Sequence, residues 1–456
     1  MTPFQSVAVV GLGVNNRPLV PYWLERGASV VVADRRSSAA LADDLRPWLN
    51  GSHLTIYGGG DYLDQLVRDP TIQVAYLTPG MVKDLPQIRA LAERGIALSS
   101  ETNLFLAESS APVLGITGSA GKTTTTTLIG QALAASGVDV VVGGNIGRSL
   151  LPELEGLKPS MWAVMELSSF QLDLVERSPH GAVWLNLAPN HLDIHGSMEA
   201  YTQAKRHIIE FQNRDDWAVL PWADRAVLTP AENFGGQRYY VSCDQPVPVG
   251  AFLAEGSLWW RPERGMAAQA VVSASRVLLP GRHNLFNVLA ATAAVMLAGG
   301  RREAMAEVVQ TFRGVAHRLE TVRRVDDVVY INDSIATAPD RTFAALAALK
   351  GPIVLIAGGY DKHLDYREFG QRVASAPVRS VILLGQTADK IAAALTEAGA
   401  DLPIRRAESL EAAVDQARAE AEPGDTVLLS PASASYDMFS NFEERGQRFR
   451  EIVDNL

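Results

Sequence analysis

Residues 113–129 read VLGITGSAGKTTTTTLI, and the order of elements they impose decides the fold. An apolar run of strand type enters a glycine turn, which passes straight into a lysine and a row of threonines that opens a helical pattern. A strand, a turn and a helix start joined in this way make an anion site: successive backbone N–H groups point inward and the helix dipole favours negative charge. Gly118 and Gly121 let the chain approach a phosphate closely, Lys122 adds a point charge, and the Thr123 hydroxyl suits Mg2+. The strict GxxxxGK(S/T) spacing is not met, because Ile116 stands at the first glycine position. A purely structural turn has no need of GKT after two glycines. The loop is therefore expected to bind ATP or GTP, lined by Gly118, Ser119, Ala120, Gly121, Lys122, Thr123 and Thr124.

Outward from this loop, strands and helices alternate in three blocks. The first, residues 1–108, opens with SVAVVGLGVNNRPLVPYWLERGASVVVADRR, a βαβ unit ending near Asp34. Its turn resembles a dinucleotide fingerprint, but Asn16 stands where the third glycine should be, which argues against NAD. The second, residues 109–310, holds the phosphate loop and a β-rich section from about 217 to 280. The third, residues 311–456, shows four strand-like runs, VVYIND, PIVLIAGG, SVILLGQ and TVLLSP, each followed by a polar loop and a helical pattern. The expected class is α/β in three domains: a Rossmann-like N-terminal domain, a P-loop-type central ATPase domain and a doubly wound, parallel C-terminal domain. Ligands of such sheets bind beyond the carboxyl ends of the strands, which puts Asp333, Lys362 and residues 430–435 on a functional edge.

Composition excludes several function classes. A net charge of −10 argues against a broad nucleic-acid surface. Cys243 is the only cysteine, so neither a disulfide framework nor a cysteine-rich metal site is available. The first residues lack the pattern of a signal peptide, and no apolar stretch reaches the roughly 18 residues of a membrane helix. The expectation is a cytoplasmic monomer acting on small molecules, with neither nucleic acid nor membrane as partner.

Two further positions carry chemistry. Glu166 ends the run WAVME, where a carboxylate beside a phosphate loop can hold Mg2+; the alternative is a cap for the helix beginning SSFQLD. His191 directly follows another strand, within a polar cluster.

Taken in order, GITGSAGKTTTTTLIG, GGNIGRSL, MELSSFQLD, NLAPNHLDIHGSMEAYTQAK, GRHNLFNVLAA, AHRLE, NDSIATAPDRT, GGYDKHLDY and LLSPASASYDMFSNFEERG resemble the Mur ligase family over essentially the whole chain. The resemblance is strongest to members that join D-glutamate to UDP-N-acetylmuramoyl-L-alanine through an acyl phosphate, using ATP and two Mg2+ ions. It implies Lys122, Glu166, His191 and Lys205 as catalytic residues. Thr123, Glu166, His191 and Lys205 would serve the metals, with Lys205 carbamylated by CO2. Asn284 and Asn287 would border the adenine, and Arg318 and Asp333 would meet ATP from the third domain. Gly13, Val14, Asn15, Asp34, Arg36, Gly80, Asn145 and His191 would hold the UDP-sugar, and Thr337, Lys362, Ser435 and Phe442 the glutamate. One departure stands out: Ile335 occupies a position where many members carry the lysine of a DSKAT motif. Rival readings are a related ligase for L-glutamate, a diamino acid or folate, a P-loop NTPase switch, and a nicotinamide oxidoreductase.

Overall fold

The computed structural model describes residues 4–49, 53–145, 148–279, 281–349, 351–362 and 364–456. Ile146 and Gly147 of GGNIGRSL and His363 of GGYDKHLDY lie outside them. The chain forms two compact units, residues 1–312 and 313–456.

The first unit contains two sheets. One is wholly parallel: β1 (Ser6–Val10), β2 (Ser29–Asp34), β3 (Leu54–Gly58), β4 (Val74–Leu77) and β5 (Ala97–Ser99), in the order β3-β2-β1-β4-β5. The strands β1 and β4 are buried at every residue, as mainly apolar runs covered on both faces must be. The strand order reverses between β1 and β4, so a crevice opens beyond their carboxyl ends, at the turn starting with Gly11 and at Thr78. Asn16 explains the broken fingerprint. Fully buried, it donates from Nδ2 to the carbonyls of Val10 (3.2 Å) and Tyr76 (3.3 Å), tying the ends of β1 and β4 together where a glycine could not.

The second sheet comprises β6 (Val113–Thr117), β7 (Val140–Gly144), β8 (Trp162–Glu166), β9 (Gly181–Trp184), β10 (Trp217–Pro221), β11 (Gln237–Ser242), β12 (Gly250–Ala254), β13 (Ser257–Arg261) and β14 (Gln269–Ser273). Its order is β14-β13-β12-β11-β10-β9-β6-β8-β7. The β-rich section of the sequence therefore extends this one sheet, with an antiparallel edge at β12, β13 and β14. The phosphate-loop strand β6 lies between β8 and β9, so their carboxyl ends flank the loop.

The second unit has the expected doubly wound parallel sheet and extends it by two edge strands. It has β15 (Glu320–Val325), β16 (Val328–Asn332), β17 (Ile353–Gly358), β18 (Val378–Leu384), β19 (Ile404–Arg406) and β20 (Thr426–Leu429), in the order β15-β16-β20-β17-β18-β19. The four expected strands are present and parallel, but β15 joins as an antiparallel edge and β19 closes the other side. β15 reads ETVRRV and is half exposed, so its polar composition hid a strand that has only one neighbour.

Packing leaves no slack where β9 meets β10. The Trp217 ring lies over Gly181, and a Cβ there would overlap it. Gly181→Ala is expected to destabilise the first unit by about 1–3 kcal/mol through overpacking, measured as a lower urea midpoint at unchanged slope. An unshifted midpoint would show that the ring can move aside.

Candidate active site

The phosphate loop is built as its sequence demands. β6 ends at Thr117, Gly121 adopts φ 84°, and the helix Lys122–Ala135 begins at once. A Cβ at Gly121 would overlap the Asn287 amide, so position 121 needs glycine both for its backbone and for its neighbour. Asn287, which lies against the loop, in turn donates to Asn284 Oδ1 at 3.3 Å. Asn186, after β9, grips the loop on its other side: its Oδ1 accepts from Ala120 N at 2.9 Å and its Nδ2 donates to Ala120 O at 3.0 Å. The Ser119 hydroxyl donates to Ala188 O at 2.9 Å and lies 3.0 Å from the Tyr201 hydroxyl.

Two lysines share one carbonyl. Gly118 O accepts from Lys122 Nζ at 2.9 Å and from Lys205 Nζ at 3.1 Å. Lys205 also lies 3.2 Å from Thr117 Oγ1 and 4.9 Å from the centre of the Tyr201 ring. A solvated lysine would be the ordinary reading of the helix Met198–Glu210, yet Lys205 is 1% exposed. Burial first, and then the Lys122 charge, push its amine down to about 6. On the opposite flank, Glu166 is 2% exposed. Its Oε1 accepts from Asn145 Nδ2 at 2.8 Å, while its Oε2 is buried without a partner among the described residues. Among the described residues, Glu166 caps no helix. The helix Ser169–Leu172 is capped by Ser168 and Gln171 in a reciprocal capping box, which removes the structural alternative for the glutamate. The left-handed His191 (φ 54°) stands next to this flank, 5.1 Å from Phe170. Phe170 also stacks on His195 at 4.8 Å.

At the end of β2, Asp34 is committed locally. Its Oδ2 accepts from Leu12 N at 2.7 Å and its Oδ1 from Arg36 N at 2.9 Å. Burial would raise its pKa, but these bonds and the Arg36 side chain hold it below the ordinary value. Arg36 is no loose surface arginine: it pairs with Asp34 and Asp44 and donates to Leu12 O at 3.1 Å. Both residues thereby shape the turn that carries Gly13, the exposed Val14 and Asn15. Across the crevice, Thr78, Gly80, Lys83, Phe170, Asp173 and His195 line a cleft of about 250 Å3, fastened by the Lys83–Asp173 ion pair at 2.5 Å.

In the second unit, the segments after β16, β20 and β17 carry Thr337, Ser435 and Lys362. Asp333 is buried and accepts from Leu319 N at 3.1 Å and Ser430 Oγ at 2.8 Å. Burial raises its pKa to about 6. Arg318 adjoins it, and its charge opposes that rise. Phe442 opens the last helix, and its carbonyl accepts from Ser334 Oγ at 2.8 Å.

Comparison with known proteins places this architecture. The Mur ligase middle domain model matches residues 116–295, and the model described as Mur ligase, glutamate ligase domain matches residues 317–433. The chain belongs to the Mur ligase family. It is 46% identical over 455 residues to the UDP-N-acetylmuramoylalanine–D-glutamate ligase of Symbiobacterium thermophilum, covering 99% of this chain and 98% of that one. Identity to the protein of the same name from Acetivibrio thermocellus is 41% over 458 residues, covering 99% and 97%. Among solved structures, the murein peptide ligase of Psychrobacter arcticus (TM-score 0.51, 18% identity) and the UDP-N-acetylmuramate-alanine ligase of Thermotoga maritima (TM-score 0.51, 17% identity) each cover 99% of both chains and share the fold.

In this Mur ligase the donor set suits Mg2+. A buried carboxylate oxygen without a partner among the described residues, Glu166 Oε2, lies at the end of the strand beside the loop, and Thr123 adds a hydroxyl at the start of the helix. Sequence reasoning missed Asn186, Tyr201 and Arg445. The first two sit inside the NLAPNHLDIHGSMEAYTQAK stretch, whose polar residues after a strand were the available signal. Arg445 is 2% exposed and donates to Ser334, Ser433 and Ala434, a role no local pattern announces.

The buried amine of Lys205 carries a stability signature. Between its ordinary pKa of 10.5 and about 6, the unfolded chain binds a proton that the folded chain does not. The folded state should therefore lose stability as pH falls through that window. In CO2-free buffer, Lys205→Met should flatten this dependence and melt higher at pH 7. A variant with the parent's pH slope would contradict a neutral buried amine.

Proposed function

We propose that this chain is the ATP-dependent ligase that joins D-glutamate to UDP-N-acetylmuramoyl-L-alanine in peptidoglycan precursor synthesis. The observation that carries the reading is the 46% identity, over 99% of the chain, to a ligase of that name. The reaction is placed in the cytoplasm, with a monomeric enzyme in three domains bounded near residues 108 and 310.

A carboxylate is a poor electrophile because its leaving group would be oxide. Transfer of the ATP γ-phosphoryl group to the alanine carboxylate gives an acyl phosphate, from which phosphate can leave. The glutamate amine then attacks the acyl carbon, and an amide and inorganic phosphate result. Two Mg2+ ions, when bound, neutralise the charge between two anions that otherwise repel. The chain's own residues bind and orient. The N–H groups of residues 118–124 and the Lys122 ammonium cradle the phosphates, and Thr123, Glu166 and His191 supply metal ligands. Asn145 holds Glu166 through Oε1 and leaves Oε2 for a cation. Asn284 and Asn287, and in the second unit Arg318 and Asp333, are assigned to the nucleotide. The crevice beyond β1 and β4, with Gly13, Val14, Asn15 and Gly80, takes the UDP, its turn braced by Asp34 and Arg36; Asn145 and His191 face the sugar. Thr337, Lys362, Ser435 and Phe442 are assigned to glutamate.

Lys205 enters as a carbamate. Its neutral amine attacks CO2, a C–N bond forms and one proton leaves, which turns an amine whose protonated form would repel Mg2+ into a carbamate that offers it oxygen. Burial beside a second lysine favours that neutral amine.

Amide formation should require ATP, Mg2+, the UDP-sugar and D-glutamate together, as seen by mass of the product. Turnover with L-glutamate only would keep the ligase and reverse its stereochemistry, whereas phosphate release without any acceptor would favour an NTPase switch. Lys122→Ala should lower turnover by at least about 100-fold while leaving UDP-sugar affinity, measured by calorimetry, unchanged. Parental turnover in that variant would sink the assignment.

A further inference from the structure

The second unit gathers positive charge where three parallel strands end. β16, β20 and β17 are successive neighbours in its sheet, and the segments beyond them carry Thr337, Ser435 and Lys362. Arg341 stands in the first turn of the helix Pro339–Ala348, which follows the Thr337 turn. Its side chain folds back over that turn: Nη1 donates to the Ile335 carbonyl at 3.5 Å, and the same carbonyl accepts the Thr337 N–H at 2.8 Å. A bond of 3.5 Å is at the long limit of hydrogen bonding, so a carboxylate can outcompete it.

The charge of Arg341 reaches Lys362. Partial burial, then the charges of Arg341 and Arg445, hold the Lys362 amine below its ordinary value. Of these cations, Arg445 is already committed to Ser334, Ser433 and Ala434. Among the described residues, neither Arg341 nor Lys362 forms an ion pair with a carboxylate. The Arg341 charge also acts on the buried Asp333, and Lys362 Nζ lies 5.8 Å from the centre of the Tyr436 ring, but neither contact is an ion pair, and an anionic ligand would relieve the repulsion between the two cations. Position 335 is isoleucine, so the NDSIAT turn itself contributes no cation.

We propose that Arg341 binds a carboxylate of the incoming amino acid, as the second cation beside Lys362, and so sets the preference for an acidic side chain. The inference rests on the ligase reading above, which supplies an amino acid with two carboxylates. A guanidinium suits the task because its planar fork matches a carboxylate in two-point contact.

The test is steady-state kinetics of Arg341→Gln on the full chain. Its KM for D-glutamate should rise about 10- to 100-fold, the loss expected for a charge-assisted bond, while the KM values for ATP and the UDP-sugar stay within about twofold. Arg341→Lys, which keeps the charge without the fork, should fall between parent and Gln variant. A lysine at position 335 (Ile335→Lys combined with Arg341→Gln) should recover part of the loss. An unchanged KM for glutamate, or an equal rise in all three constants, overturns the inference. Melting curves matched to the parent exclude misfolding, and Arg341→Lys decides if the Gln variant does not fold. A parent enzyme that makes no amide with either enantiomer of glutamate overturns the ligase reading itself.

Discussion

Much of this structure turns on a charge problem at the end of one strand. Beyond β6, the Lys122 ammonium and the buried amine of Lys205 converge on the Gly118 carbonyl, while a buried carboxylate on β8 keeps one oxygen without a partner among the described residues. Neither arrangement is comfortable in an empty protein, since buried charge and buried unsatisfied oxygen both cost free energy. They become favourable when polyphosphate and cation arrive. The sheet makes the arrangement possible, because β6 runs between β8 and β9 and carries the ends of all three to one place. Asn145 after β7, Asn186 after β9 and Asn287 from the helix Arg282–Leu297 then hold it from three sides.

Legibility in the sequence followed how local each cause was. The phosphate loop, the three sheets and the parallel strands could be read, because a glycine turn between a strand and a helix is a local event and fully buried strands are continuous apolar runs. Lys205 falls on the same helix face as Tyr201, Ala204, Ile208 and Ile209, yet a lysine beside Arg206 and His207 reads along the chain as a solvated one, and its role came only with the family resemblance. Tyr201 and Asn186 stayed hidden because their partners lie 82 and 66 residues away. Asp34 and Arg36 were placed correctly at a strand end, yet they brace the turn through Leu12 more than they project from it. The strand β15 escaped notice because an antiparallel edge strand with two adjacent arginines has no apolar run to announce it.

The departure at Ile335 shows the same lesson in reverse. Read along the chain, the position loses a charge; read in space, Arg341 brings one back to the same carbonyl. Charge in such a site is a property of the volume where the strands end and need not belong to one motif position.

In this mechanism the bound phosphate travels to a carboxylate before the amide forms. It is tested most directly with UDP-N-acetylmuramoyl-L-alanine labelled with oxygen-18 in the alanine carboxylate, followed by mass analysis of the released phosphate. One labelled oxygen is expected in each phosphate formed during amide synthesis. Unlabelled phosphate alongside amide product would contradict it, because the carboxylate would then have been activated without accepting the phosphoryl group.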